Sequence, residues 1–247
     1  SLSDVLSTLV VMIGLKISGK KADKSHPYGH ERIECVAAFI LASFLFITGI
    51  GIGWIGIKTI LIEDYSKVQT PTTIALIAAI ISIAIKEGMY WYTKNVAKKI
   101  RSDSLMADAW HHRSDALSSI GSLIGIGGAM LGFKLLDPIA SIIICICIVK
   151  VAFDIFMDSV DKMVDKACND DFLEELKKLV IETDGVLDID SIKTRLFGNR
   201  IYIDLEISAD ANLTLLKAHE IAQDVHDRIE ETYPDVKHCM VHMNPKV

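Results

Sequence analysis

Residues 110–119 read WHHRSDALSS, and within them His111 and Asp115 stand four positions apart. On a helix that spacing stacks two side chains on one face, so an imidazole nitrogen and a carboxylate oxygen can meet a single ion. Together they make a suitable half of a tetrahedral zinc set. His112 and Arg113 project elsewhere, and are expected toward the helix end where water or headgroups reach them. On a soluble surface helix an i,i+4 His–Asp pair is common and usually does nothing. Here it opens a long apolar run, where buried ionisable groups are costly and mark function. A possible partner is Asp4, set in SLSDVLSTLVVMIG, an otherwise apolar or hydroxylated segment in which a carboxylate calls for a counter-ion or a metal. A third cluster, ADKSHPYGHERIE, brings Asp23, His26 and His30 close together between Pro27 and Gly29. These can form a second metal site or a metal entrance; a solvated pair of loop histidines is the even alternative.

The elements that must position these residues are apolar. Of the 247 residues, 51% are hydrophobic, and a mean hydropathy of +0.36 is too high for an ordinary soluble domain, which points to a membrane protein. Apolar runs lie at roughly 4–19, 33–62, 71–93, 106–132 and 136–160, and a span needs about 20 mostly apolar residues. The first is short, as expected of a chain that begins inside a membrane helix; it has neither the basic start nor the cleavage site of a signal peptide. Lys16, Lys20, Lys21, Lys24 and Arg32 follow the first run, and Lys94, Lys98, Lys99 and Arg101 follow the third, whereas the alternate connections carry only Lys67 and Lys134. Basic short loops face the cytoplasm, so five spans put the C-terminus inside.

Beyond about residue 168 the pattern becomes that of a soluble domain. NDDFLEELKKLVIET is an amphipathic helix with an acidic first turn. VLDIDSIKTRL and RIYIDLEIS alternate apolar and polar residues around Gly198-Asn199, a hairpin signal. A second amphipathic helix ends at Pro234, and VKHCMVHM is a last strand. The predicted order is α-β-β-α-β.

Other features exclude functions. A net charge of -6 without a basic stripe argues against nucleic acid as a partner. Five cysteines, Cys35, Cys145, Cys147, Cys168 and Cys239, form no CxxC pair and read as small apolar fillers. Gly49, Gly51, Gly53 and Gly56 have no strand before them, and close helix packing accounts for them better than a phosphate loop, as it does for Gly121, Gly125, Gly128 and Gly132. No GxxxxGK[ST] loop is present, which disfavours an ATP-driven pump. Asp154, Asp158, Asp161 and Asp165 line a cation vestibule or a hydrated helix end. Lys86 and Glu87 are expected to snorkel or pair, and Trp54, Tyr90, Trp91, Tyr92 and Trp110 to lie in interfacial belts.

The combination of SLSDVLSTL, HPYGHERIE, HHRSDALSS and an α-β-β-α-β tail resembles the cation diffusion facilitators over essentially the whole chain. The resemblance implies a membrane exporter of divalent metals, not an enzyme. It implies that Asp4, His111 and Asp115 are three of four ligands of the transport site, the fourth lying just before Ser1 in a family member with six spans. Asp23, His26 and His30 match a loop site of zinc-exporting members. Arg32 and Asp165 match a charge pair that interlocks two protomers; two hydrated surface charges are the alternative. In the C-terminal domain His219 and His242 match family histidines, Asp190 and Asp204 stand where others have histidine, and Asn244 where a bridging aspartate is usual. A single weaker site is therefore expected there, with His238 sharing a strand face with His242.

The resulting expectation is a five-span helical membrane domain, residues 1–167, followed by a cytoplasmic ferredoxin-like α+β domain, residues 168–247. The cargo is zinc, or cadmium, cobalt or ferrous iron, because imidazole favours these over manganese. Transport is by exchange for protons in a homodimer of the plasma membrane, with zinc or another divalent transition metal also a possible regulatory ligand. The alternative is a membrane metal sensor or scaffold that dimerises on metal and moves nothing.

Overall fold

The structure, a computed structural model, describes residues 2–62, 73–130, 133 and 135–246; Lys67, Gly132 and Lys134 lie outside the described residues. The chain divides into two units, Ser1–Val160 and Asp161–Val247.

The first unit is a helical bundle built from α1 (Leu2–Ser18), α2 (Arg32–Ile62), α3 (Thr73–Ile100), α4 (Asp103–Met130) and α5 (Leu136–Met163). Only α2 and α5, among the described residues, are long and apolar enough to cross a membrane, with mean hydropathies of 2.4 and 2.5 over their most apolar stretches. α1 has 17 residues, a rise of about 26 Å. α3 carries Lys86, Glu87, Lys94, Lys98 and Lys99, and α4 carries Asp103, Asp108, Arg113 and Asp115. Two of these charges, Lys86 and Asp115, meet at the site described below.

Helices α3 and α4 form a tight hairpin. Arg101 takes a left-handed φ of 54°, the Ser102 N–H returns to the Ala97 carbonyl at 2.9 Å, and the Ser102 hydroxyl accepts the Leu105 N–H at 3.2 Å. One residue pair thus closes α3 and caps α4. Val11, Leu41 and Ala107 join α1, α2 and α4 in one buried cluster; Leu45, Ile148 and Ala152 join α2 to α5 in another.

Small residues let the helices approach, as their sequence spacing suggests. A Cβ at Gly49 would lie 2.9 Å from Ile148 Cγ2, one at Gly56 2.9 Å from the Pro138 carbonyl, and one at Gly121 2.6 Å from Ile144 Cδ1. Gly53 packs on Cys145, whose small thiol fills the contact. Gly51 differs, facing open space. The aromatic residues also divide. Trp54 and Tyr92 are exposed, but Tyr90 is fully buried, its hydroxyl accepting from Lys94 Nζ at 2.7 Å. Tyr90 is therefore packing and hydrogen-bonding inside the bundle, not belt.

The second unit follows the predicted order: α6 (Asp170–Ile181), β1 (Asp188–Phe197), β2 (Arg200–Asp210), α7 (Leu215–Thr232) and β3 (Val236–Lys246). The sheet order is β1-β2-β3, antiparallel between β1 and β2 and parallel between β2 and β3. α7 supplies the crossover that a parallel pair requires. The expected hairpin closes at the Phe197–Arg200 pair, with φ +64° on Gly198, the first central residue, where a type II′ turn needs it. Asn169 accepts the Phe172 N–H to cap α6, and Thr214 accepts the Lys217 N–H to cap α7. Ile203, Leu205 and Ile207 of β2 bury against Leu176 and Val180 of α6 and Val225 and Ile229 of α7. The strand period of two then leaves Asp204 and Glu206 on the other face.

Overpacking separates the glycines experimentally. Gly53→Leu is expected to destabilise the purified protein in detergent by about 1–3 kcal/mol, while Gly51→Leu stays within about 0.5 kcal/mol of the parent. Thermal unfolding of the two variants side by side measures the difference.

Candidate metal centre

Two groups of acidic and imidazole side chains bring three donor atoms within 4.8 Å of one another: Asp4, His111 and Asp115, and Asp23, His26 and His30. Two ligand atoms bound to one tetrahedral zinc stand about 3.3 Å apart. That edge length is a useful gauge for both groups.

In the first group α1 contributes Asp4, and α4 contributes His111 and Asp115 one turn apart. His111 Nε2 lies 3.4 Å from Asp4 Oδ1, close to the tetrahedral edge. The nitrogen is buried and makes no hydrogen bond, while facing the Asp4 carboxylate at ion-pair distance. Buried polar atoms of that kind call for an explanation. The packing of α1 against α4, sealed by Val11 and Ala107, holds the two helices at this distance.

A residue that the sequence placed only as snorkelling or pairing also belongs here. Lys86 of α3 hydrogen-bonds through Nζ to Asp115 Oδ2, and the same nitrogen is 3.9 Å from Asp4 Oδ2. The α3–α4 hairpin brings it there: Lys86 stands 15 residues before Arg101 and Asp115 14 after it, so antiparallel helices set the two at one height. That symmetry about the turn was the available signal. Its neighbour Glu87 pairs instead with Arg113, Oε1 to Nε 3.6 Å, and the guanidinium lies 4.4 Å from the Tyr90 ring centre, a cation–π distance.

His112 is not at a wetted helix end. It is 3% exposed, with Nε2 3.6 Å from Asp108 Oδ2. The expectation failed because Asp108 is four positions earlier on the same face, giving the ring a buried partner. Arg113 likewise faces aromatic rings and a carboxylate within the bundle.

In the second group Asp23 is fixed by its own loop. Its Oδ1 accepts the N–H groups of Ser25 and His26, both at 2.8 Å, an Asx turn. Gly29 has φ +98°, which turns the chain so that His30 comes back over Asp23. His30 Nε2 is 3.4 Å from Asp23 Oδ2, His26 Nδ1 is 3.5 Å from Oδ1, and the two rings lie 4.4 Å apart. His30 is buried, with Nδ1 making no hydrogen bond. The backbone N–H of His26 holds the Asp23 carboxyl below its ordinary range, assisted by Ser25 and opposed by some desolvation.

In the C-terminal unit, no three acidic, histidine or cysteine donors converge among the described residues. Asp204 of β2 and His238 and His242 of β3 lie on one exposed sheet face, where His238 pairs with Tyr202 and His242 with Glu206. His219 is exposed on α7. Asp190, at a bulge in β1, accepts from Ser208 Oγ at 2.6 Å and Asn244 Nδ2 at 2.8 Å, and these bonds hold its carboxyl low. Asn244 is thereby a hydrogen-bond donor to Asp190. Burial pushes the Cys239 thiol up to about 12 and also raises Cys168, in keeping with cysteines used as apolar fillers. Arg32 opens α2 in the first unit, and Asp165, with φ +64°, follows α5 in the second.

The family profile described as the cation efflux transmembrane domain matches residues 1–164, and that described as the cation efflux protein cytoplasmic domain matches residues 168–246. An uncharacterized transporter of Methanocaldococcus jannaschii is 38% identical over 99% of this chain and 85% of its own length. The manganese efflux system protein MneP of Bacillus subtilis is 31% identical over 99% of this chain and 84% of its own. Metal tolerance protein C1 of Arabidopsis thaliana is 33% identical over 99% of this chain, which spans 55% of that protein.

The Asx turn has a pH signature. A carboxyl lowered on folding contributes order that is complete above its ordinary value, about 3.9, and is lost as pH falls through the depressed one. Carbon-detected NMR of the Asp23 carboxyl should therefore give a midpoint below that ordinary value, with the slow exchange of the Ser25 amide lost over the same range.

Proposed function

The chain belongs to the cation efflux family, the cation diffusion facilitators, and on that premise we propose that it exports zinc, held in transit by Asp4, His111 and Asp115. Family membership makes it a divalent-metal transporter with a C-terminal dimerisation domain, and not an enzyme. The observation that carries the site is the convergence of three donor atoms from α1 and α4, one of them a buried imidazole nitrogen without a hydrogen bond.

In this reading all five helices of the first unit span the membrane. α2 and α5 are the lipid-compatible ones, and α1, α3 and α4 turn their polar residues toward one another around the cargo. The site opens alternately to the two sides of the membrane. Metal and protons compete for the same lone pairs on His111, Asp4 and Asp115, and imidazoles titrate near physiological pH. An inward proton gradient therefore drives metal release outward. Asp23, His26 and His30, in the connection between α1 and α2, form a loop site on the cytoplasmic side. The boundary between membrane and cytoplasmic domains falls near residue 167. The functional unit is a homodimer of the plasma membrane, interlocked by Arg32 and Asp165. Asp204, His219, His238 and His242 supply a weaker regulatory metal site that needs a second copy to complete it, with Asp190 tied into hydrogen bonds at its edge.

The likeness to a manganese efflux protein supports a second cargo. A ligand set with two carboxylates and one imidazole accepts manganese as well as zinc, and His111 is the residue that tilts the choice to zinc.

Inside-out vesicles carrying the intact protein should take up zinc faster than manganese, dependent on an inside-acid gradient. Asp115→Ala should weaken apparent zinc affinity by more than about 100-fold, and His111→Asp should shift preference toward manganese. Uptake indifferent to the gradient would remove proton exchange, and no uptake of either metal would favour the sensor or scaffold.

A further inference from the structure

Lys86 has no part in the transport cycle just described, yet it occupies the cargo position. Its ammonium contacts Oδ2 of both carboxylates, Asp115 by a hydrogen bond and Asp4 at 3.9 Å, the charges that a metal would claim. Its side chain is 22% exposed, the same as that of Asp4, so it is not a lysine directed to solvent. The nearest other acid on α3, Glu87, is taken by Arg113, which leaves Asp115 and Asp4 as the carboxylates that Lys86 meets.

We propose that Lys86 is a tethered cation that fills the metal-free site and is displaced when the divalent cargo binds. The inference rests on the assignment of Asp4, His111 and Asp115 as the cargo site. Two carboxylates in an apolar bundle need compensation when no metal is present. One ammonium halves their charge and donates a hydrogen bond to Asp115. A divalent ion at the same oxygens supplies two charges, and a third positive charge at contact distance is then repelled. The flexible four-carbon stem lets the ammonium swing out without moving α3. The lysine thus lowers metal affinity by competition and gives the empty carrier a compensated site in which to return.

The test is zinc binding by the purified intact protein, read by chelator competition at fixed pH, with His26→Ala, His30→Ala, His238→Ala and His242→Ala present so that neither the loop nor the C-terminal site reports. Because competition is reciprocal, removing the tethered charge in Lys86→Met should tighten zinc binding by roughly 10- to 100-fold, while Lys86→Arg, which keeps a charge, stays near the parent value. Lys86→Gln provides a second neutral variant should Lys86→Met fold poorly. In the Lys86-containing protein, zinc should increase acylation of the Lys86 amine by an amine-reactive ester, measured by mass spectrometry. Neutral variants that bind zinc no more tightly than the parent would overturn the inference while leaving the cargo site standing. Protection of Lys86 by zinc would overturn it too, making the lysine a ligand or a structural strut. Absence of zinc binding in the parent, with the loop and C-terminal sites disabled, would defeat the cargo site itself.

Discussion

Two carboxylates brought together inside an apolar helical bundle cannot stand without positive charge, and the first unit is arranged around that requirement. Asp4 and Asp115 come from different helices and converge on one small volume with His111. Separating the helices would relieve the repulsion, but Val11, Leu41 and Ala107 seal them together. Compensation has to come from a cation. In the proposed cycle that cation is the transported metal, protons, or the ammonium of Lys86.

The same requirement explains the uneven helices. α2 and α5 are almost free of charge along their apolar stretches and are tied by glycine contacts at Gly49, Gly53 and Gly56. α3 and α4 carry Lys86, Glu87, Arg113 and Asp115, and those residues are paired with one another across the hairpin. A charge that would be intolerable alone in lipid is tolerable opposite its partner. Polar burial and site construction are thus one feature of the sequence, seen from two sides.

Much of the architecture was legible in the sequence because it rests on periodicity. The long apolar stretches of α2 and α5, the alternation in β1 and β2 and the turn at Gly198 are local signals, and the structure follows them. His111 and Asp115 were legible together because they are one helical turn apart. The encounter of Lys86 with Asp115 was not, because periodicity says which face a residue occupies but not which helix lies opposite. Only counting outward from the turn at Arg101 and Ser102 would have found it. Tyr90 and His112 were misplaced for a related reason: their polar atoms suggested water, whereas Lys94 hydrogen-bonds the one and Asp108 faces the other inside, each four residues away. In the C-terminal unit, strand faces were readable, but the capture of Asp190 by Ser208 and Asn244 depends on a bulge that the alternation conceals.

The most direct test of the account is the position of a bound metal. Cryo-electron microscopy of the intact protein with and without zinc, supported by anomalous diffraction at the zinc edge, should place an ion about 2.0–2.2 Å from donor atoms of Asp4, His111 and Asp115, with Lys86 Nζ withdrawn from both carboxylates. Zinc bound elsewhere in the helical unit would contradict the assignment of these residues as the cargo site, and zinc at these residues with the Lys86–Asp115 contact intact would contradict the exchange of one cation for the other.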